Sequence, residues 1–342
     1  MAPRHRESAA ALRTQDKDRL NPAKTMSSET TTCRGTTTTS ACRDDRVVGN
    51  AIDQRETNVT FRLPGVHALV FSIARRSDDL IHVPHPEKGR ILDLGCGTGI
   101  WAMDVAETYP EMFVVGVDLS RIQPDRHPPN CEFYAPFDLE RQWQMGEDSW
   151  DVVHLRMGWG SVSNWFNLYR RVIAHLVPGG WFEQVEIDIE PRFLNNPSRH
   201  SPLRKWHQAF ERAIALSRRP LTHSSQDTMS FLRTAGFTEI SHQTIRLPLN
   251  QWSSDSHQRK IGRWYGLAFL QFIESLDLGL FSGIFSSAPN EARELNNQAK
   301  AEASDRSVHS FHVLHTYLIF SPGQQPSLSV LVLTPRRFLL TK

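Results

Sequence analysis

The sequence has few cysteines and no long apolar segment. Its four cysteines form no CxxC pair, and the first thirty residues lack the apolar core of a signal peptide. We therefore expect reduced thiols at Cys33, Cys42, Cys96 and Cys131 in an intracellular compartment. The longest apolar stretch, near Leu328–Leu333, is far shorter than the roughly 20 residues that a membrane-spanning helix needs, which predicts a soluble protein.

The sequence also has almost no excess of charge of one sign. The chain has 39 Lys and Arg against 37 Asp and Glu, a formal net charge of +2 at pH 7. This balance gives no overall basic field that would hold nucleic acid or an anionic membrane. Zinc-finger spacing and a basic helix are also missing, so we expect no direct DNA binding and no membrane partner.

Aromatic residues are missing from the first sixty residues, which are rich in Thr, Ser, Arg and Asp. Such a segment cannot bury enough apolar surface to offset its chain entropy. We expect residues 1–60 to form a disordered arm and residues 61–320 to form the folded domain, with a helical insertion at about 248–304. Residues 321–342 are a tail to which the sequence assigns no structure.

From Arg90 onward, short β-rich runs alternate with segments of helical period, which predicts an α/β fold with a parallel sheet and crossover helices. The predicted strands are Ile91–Leu94, Phe113–Val117, Asp151–Leu155, Trp181–Ile189, Thr238–Leu247 and Val308–Phe320. The predicted helices are Ile100–Tyr109, Trp165–Leu176 with Asn164 as its cap, Leu203–Ile214, Gln226–Ala235 and Lys260–Leu276.

Three glycines at alternate positions follow the first strand, in Asp93–Gly99 (DLGCGTG). Glycines in such a turn let the backbone pass close to a ligand, although an ordinary strand-to-helix turn is the alternative. The GxGxG spacing departs from the GxGxxG of dinucleotide sites. Asp118 ends the next strand at the same sheet edge, where a carboxylate can accept hydrogen bonds from ribose hydroxyls, so a nucleoside ligand is favoured. Asp93 is suited to organising the loop or receiving an ammonium group.

This block resembles motif I of the class I S-adenosylmethionine-dependent methyltransferases, and the likeness covers roughly Gly89–Leu247. The resemblance implies a doubly wound, mostly parallel, seven-stranded Rossmann-like sheet with S-adenosylmethionine as the cofactor. It also implies roles for eight residues. Asp118 would take the ribose hydroxyls and Asp138 the adenine amino group, Leu119 and Leu139 would enclose the adenine, and Gly95, Gly97 and Gly99 would line the methionine moiety, beside Asp93.

A narrower resemblance is to the fungal LaeA-type methyltransferases, and it extends to about Phe320. Cys96 departs from it, since we expect threonine there in many members, and so does the tail after Gln324. The strings that carry the likeness are Gly97–Pro110, Asp118–Pro124, Pro128–Asn130, His154–Trp165, Pro178–Phe193, Ile261–Arg263 and Asp305–His309.

The LaeA-type resemblance implies a nuclear regulator of secondary metabolism and development that works with velvet-family proteins and acts on transcription through a complex. A cytoplasmic pool is a second possible location. Three functions stay open. They are a methyltransferase acting on protein, including itself, a cofactor-binding scaffold without turnover, and a small-molecule O-methyltransferase.

Methyl transfer needs proximity and orientation above all, and a base only when the acceptor must lose a proton. His154 and Glu183 could supply one, although a satisfied strand histidine and a solvent-facing glutamate are the commoner interpretations. Arg156 could hold a carboxylate or its own loop. Met157 is a soft nucleophile at the same sheet edge, and the family resemblance implies self-methylation of a methionine.

Two further patterns have competing interpretations. Trp101 could stack on a substrate or a sulfonium, with core packing as the alternative. The histidines at His309, His312 and His315 are close in sequence, but alternation on a strand turns His312 away from the other two. We therefore expect no metal site.

Overall fold

The computed structural model describes residues 71, 73–77, 79–195, 200–215, 223–276 and 289–322. The predicted arm at 1–60, the tail from 323, Cys33 and Cys42 lie outside these residues. The strands are β1 Gly89–Leu94, β2 Met112–Val117, β3 Cys131–Tyr134, β4 Trp150–Arg156, β5 Leu176–Phe193, β6 Glu239–Pro248 and β7 Ser310–Phe320. The helices are α1 Ile100–Thr108, α2 Trp165–His175, α3 Pro202–Ala215, α4 Ser225–Ala235, α5 Ser256–Leu276 and α6 Pro289–Ser304.

The strands form one seven-stranded sheet in the order β3-β2-β1-β4-β5-β7-β6. The pairs among β1 to β5 are parallel, whereas β7 runs antiparallel to both β5 and β6. The predicted doubly wound, mostly parallel, seven-stranded sheet is confirmed. Because β1, β2 and β4 are parallel neighbours, their carboxyl ends meet at one edge, which gathers the glycine turn, Asp118 and Arg156.

Both faces of the sheet are covered by helices. On one face α2 and α4 pack over the buried aliphatic side chains of β1, β2 and β4. On the other face α1 packs over β1 and β2, while α3, α5 and α6 enclose a second apolar cluster over β5 and β7. Helices α5 and α6 both lie between β6 and β7 in the chain. None of the described helices is long and apolar enough to cross a membrane.

The predictions omitted β3 and α6. Strand β3 is only four residues long and only Cys131 in it is fully buried, so it carries almost no alternating pattern. Helix α6 is rich in Ala, Asn and Glu and buries only small or polar side chains, among them Ala292, Asn296 and Ala299. Neither segment carries the apolar periodicity on which the predictions depend.

Candidate active site

The glycine turn joins β1 to α1 and is fixed against the end of β2. All three glycines have positive φ, 68° at Gly95, 56° at Gly97 and 77° at Gly99, a region that side chains disfavour. The Cys96 amide donates to the Val117 carbonyl at 3.0 Å, and the Gly99 amide donates back to the Cys96 carbonyl at 2.9 Å. These two backbone hydrogen bonds fix the shape of the turn.

The three glycines have different surroundings. A Cβ built on Gly95 or Gly97 meets no atom within 4 Å, so both face open space. A Cβ on Gly99 would instead overlap the ring of Phe133 from β3. Gly95 and Gly97 thus border open space beside the turn, which we call the groove, whereas the absence of a Gly99 side chain is required for packing. Contact of the three glycines with a methionine moiety stays a prediction. Phe133 gave no signal in the sequence.

Asp118 follows β2 and faces the glycine turn. Its Oδ2 accepts from the Gly97 amide at 2.8 Å and its Oδ1 from the Ser120 amide at 2.7 Å. Burial raises the pKa of this carboxyl, and the two backbone hydrogen bonds oppose that rise. The carboxylate therefore lies beside the groove, and the Gly97 and Ser120 amides hold it there.

A second loop, after β3, adjoins the Asp118 loop. The Phe137 amide donates to the Asp118 carbonyl at 2.8 Å. Asp138 is half-buried and accepts from the Glu140 amide at 2.9 Å. Leu139 packs against the apolar cluster under α2, and Leu119 is half-buried. The structure thus places the loop of Asp138 and Leu139 beside the loop of Asp118 and Leu119, and their contact with an adenine stays a prediction.

Gln123 is a groove residue that the motif reasoning did not single out. Its side-chain amide donates to the Gly97 carbonyl at 2.6 Å and to the Ser120 carbonyl at 2.9 Å. It therefore ties the glycine turn to the Asp118 loop. The only sequence signal for it was its place in the string Asp118–Pro124.

Asp93 and His154 form a buried pair across β1 and β4. The Asp93 Oδ1 and the His154 Nδ1 are 2.8 Å apart, with both side chains at most 5% exposed. Trp101 stacks on the His154 ring at 3.6 Å between centroids and donates its Nε1 hydrogen to the Leu80 carbonyl. In the structure His154 and Trp101 are packed and hydrogen-bonded inside the core, with Asp93 turned toward β4.

Glu183 is buried as well, so the expectation of a solvent-facing residue was wrong. Its Oε1 accepts from Arg75 at 2.9 Å, and its Oε2 accepts from the His82 amide at 2.8 Å. Burial opposes ionisation, but the hydrogen bond from His82 and the Arg75 guanidinium outweigh it and hold the pKa of Glu183 well below its usual range. Both candidate bases are therefore fixed in buried pairs.

Arg156 and Met157 lie where β4 ends. The Arg156 guanidinium lies 4.9 Å from the centroid of the Phe71 ring, and burial lowers its pKa, with Asp93 opposing the shift. Met157 has a left-handed backbone with φ 59°, and its amide donates to the Val185 carbonyl at 2.9 Å. The half-buried Met157 side chain packs against the cluster under α3 and α5.

The three histidines near β7 face different partners. His309 stacks on Trp252, His312 contacts Tyr265 and Phe269, and His315 lies 3.0 Å from His242 through ring nitrogens. Across the part of the chain that the structure describes, no group of three metal-ligating side chains is placed to hold an ion.

Comparison with known proteins assigns the family. A methyltransferase-domain family model matches residues 72–242. The chain is 54% identical to the "Secondary metabolism regulator laeA" of Aspergillus flavus over 77% of this chain and 71% of that protein. It is 53% identical to the "Protein-methionine methyltransferase laeA" of Emericella nidulans over 76% of this chain and 70% of that protein.

A more distant relative and a solved structure are also similar. The "Secondary metabolism regulator LAE1" of Cochliobolus heterostrophus is 40% identical over 74% of this chain and 84% of that protein. A Haemonchus contortus phosphoethanolamine N-methyltransferase 2, crystallised with S-adenosylhomocysteine, is 16% identical with a TM-score of 0.45, over 74% of this chain and 52% of that chain. The family resemblance predicted from the motifs is confirmed by the first three proteins and the domain model, and the chain belongs to the LaeA family of methyltransferases.

Proposed function

We propose that this protein transfers the methyl group of S-adenosylmethionine to a protein methionine, with Met157 of its own chain as the acceptor, and that it regulates secondary metabolism. The observation that carries the proposal is the groove over Gly95 and Gly97, which is open where a Cβ would project and is bordered by the Asp118 carboxylate. The family and its methyltransferase domain support the reaction type.

The residues of the groove fit S-adenosylmethionine. Gly95 and Gly97 leave room for close backbone approach, and Asp118 offers carboxylate lone pairs beyond the two that its backbone partners use. Asp138 and Leu139 lie on the adjoining loop, where they would contact the adenine. When bound, this cofactor supplies a methyl group already activated on a sulfonium sulfur.

Met157 suits this chemistry because a thioether sulfur accepts a methyl group without losing a proton. One sulfonium is converted into another, so charge balances and no general base is required. The two candidate bases are already paired, His154 with Asp93 and Glu183 with Arg75. This pairing supports an acceptor that needs no base. The name of the Emericella nidulans relative, a protein-methionine methyltransferase, supports the same acceptor class.

The methyl transfer is tested by incubating the purified full chain with isotope-labelled S-adenosylmethionine and mapping peptides by mass spectrometry. We expect label on the Met157 peptide only, with the buried Met112 and Met145 and the half-buried Met103 as internal controls. Met157→Leu should remove the label, whereas Met145→Leu should not. Label on small molecules from added lysate, with none on protein, would favour an O-methyltransferase instead.

The cellular part of the proposal places the protein in the nucleus with velvet-family partners. Two measurements test it, co-purification of tagged protein with velvet proteins and fractionation of nuclei. Gly97→Glu should abolish cofactor binding in calorimetry and also abolish regulation. If regulation survived while binding was lost, the chain would be a scaffold that does not require turnover.

A further inference from the structure

Glu186 is a buried carboxyl group that the methyl transfer does not use. It lies on β5, it is fully buried, and Val185 beside it is in register with Arg156. Glu186 is therefore level with the start of the turn after β4. Within the described ranges, no Lys, Arg or His lies within ion-pair distance of it.

The hydrogen bonds of Glu186 connect this turn to the body of the fold. Its Oε1 accepts from the Gly158 amide at 3.2 Å and from the Gln184 side chain at 3.1 Å. Gln184 in turn accepts from the Tyr169 hydroxyl of α2 at 3.0 Å. The other carboxyl oxygen, Oε2, is buried and has no hydrogen-bond partner.

These surroundings favour the neutral acid. Burial raises the pKa of Glu186 to about 8, and the hydrogen bonds from Gln184 and from the Gly158 and Trp159 amides offset only part of that rise. In the described part of the chain, no neighbouring element supplies a cation. Among the described residues, the titratable groups on this face are Tyr169 of α2, Tyr317 and His315 of β7, and Asp188 of the same strand as Glu186. His223 before α4 and His242 of β6 pack against His315, and burial lowers the pKa of all three histidines.

Two consecutive backbone amides, those of Met157 and Gly158, are held by β5. The Met157 amide donates to the Val185 carbonyl, and the Gly158 amide donates to Glu186. A methionine in a left-handed conformation persists only when its surroundings impose it. The second of these two hydrogen bonds is the one that a side chain provides.

We propose that Glu186 is the positioning residue of the methyl acceptor: its side chain fixes the Gly158 amide and so holds Met157 at the end of β4. This inference rests on the proposed function, since it assigns the support of the proposed acceptor. Ionisation of Glu186 would place an unpaired charge beside the turn and loosen it. The acceptor is therefore presented best below about pH 8.

The test compares Glu186→Gln, which mimics the neutral acid, with Glu186→Ala and with Asp188→Asn as a matched control from the same strand and face. Label transfer to Met157 and hydrogen exchange of peptides covering 156–160 are measured from pH 6 to 9. We expect wild-type transfer to fall severalfold above pH 8, Glu186→Gln to stay flat, and Glu186→Ala to lose about tenfold at every pH. Asp188→Asn should follow the wild type.

Hydrogen exchange needs no cofactor and separates the two proposals. The protection of the Gly158 amide should differ between Glu186→Ala and the wild type. If the alanine variant does not fold, the comparison is between Glu186→Gln and the wild type above pH 8. If protection changes as expected and Met157 is never methylated, the proposed acceptor is wrong and the positioning role stands. Unchanged protection, or loss of transfer in Glu186→Gln at every pH, would overturn the positioning role.

Discussion

At the scale of single residues, the absence of a side chain has two different functions in the candidate site. Gly95 and Gly97 leave a groove open, whereas Gly99 and Gly116 make room for the Phe133 ring. Substitution at the first pair should change ligand binding, and substitution at the second pair should change packing.

Gly97→Ala should weaken S-adenosylmethionine binding by about tenfold or more, because the added methyl group projects into the groove. The positive φ adds a stability loss of about 1 kcal/mol. Calorimetry measures the affinity and urea unfolding measures the stability.

Gly179→Ala is the matched control for that substitution. Gly179 also has positive φ and open space at the Cβ position, but it lies near the start of β5, in the irregular stretch between the paired residues Leu176 and Trp181. We expect the same stability loss with unchanged affinity. Equal affinities in the two variants would show that the groove does not hold the cofactor.

The sequence predicted some residues of the candidate site and missed others. Asp118 and the glycines could be predicted, because strand periodicity places them at one sheet edge. Arg75 could not be predicted, since it is 108 residues away from Glu183 and only the folded chain joins them. Phe133 and Gln123 were missed because neither belongs to a glycine motif or ends a predicted strand.

At the scale of elements, the segment before β1 is anchored across the sheet by a buried ion pair. Arg75 donates to Glu183 of β5 and, at 2.9 Å, to the Thr316 hydroxyl of β7. Leu80, in the same segment, accepts from the Trp101 indole. The segment is therefore tied to β5, β7 and α1, and it depends on charges as well as on apolar packing.

Glu183→Gln should lower the free energy of unfolding at pH 7 by about 3 kcal/mol, because it leaves the Arg75 guanidinium buried without its counter-charge. The pKa of Glu183 is depressed in the fold, so its contribution is present above its ordinary pKa and is lost as the pH falls. The variant should therefore show a flatter acid limb in urea unfolding.

Glu111→Gln provides the comparison. Glu111 pairs with Lys88 at 2.7 Å on the exposed surface, where an ion pair contributes little. An effect as large as that of Glu183→Gln would contradict the importance of burial.

The start of α2 gives a second test at this scale. The Asn164 side chain accepts from the Asn167 amide at 2.9 Å and caps the helix that follows the Met157 turn. Asn164→Ala should cost about 1 kcal/mol in urea unfolding, and Asn164→Asp should retain most of that stability. Asn167→Ala, whose exposed side chain does not cap, should have a smaller effect than Asn164→Ala.

This cap and its helix could be predicted from the sequence, as could most strands. Helix α2 combines a capping residue with apolar positions at helical spacing, and both signals are local. Strand β3 is instead defined by its parallel neighbour β2, and α6 by its packing on α3 and α5. Local patterns identify elements that bury large apolar side chains, and they miss elements whose stability comes from their neighbours.

At the scale of the whole molecule, buried titratable groups set opposing limits on stability. Burial lowers the pKa of His223 and of His312 to about 3 and that of His315 to about 4. Below pH 6.5 the unfolded chain therefore binds protons that the folded chain does not bind, and the free energy of unfolding falls as the pH falls. Glu186 acts in the opposite direction, since its pKa of about 8 lets the fold keep a proton that the unfolded chain releases.

These contributions predict a stability maximum near pH 6.5. Between pH 4.5 and 6.5 these three histidines oppose one glutamate, whereas above pH 6.5 Glu186 is the member of this set that still titrates, at about 1.4 kcal/mol per pH unit for one proton. Urea unfolding from pH 5 to 9 should show this maximum. Glu186→Gln should remove the decline between pH 6.5 and 8, and His223→Gln, which can still bond the Tyr317 hydroxyl, should make the acid limb shallower. A decline in Glu186→Gln parallel to that of the wild type would mean that Glu186 is already ionised in the folded protein.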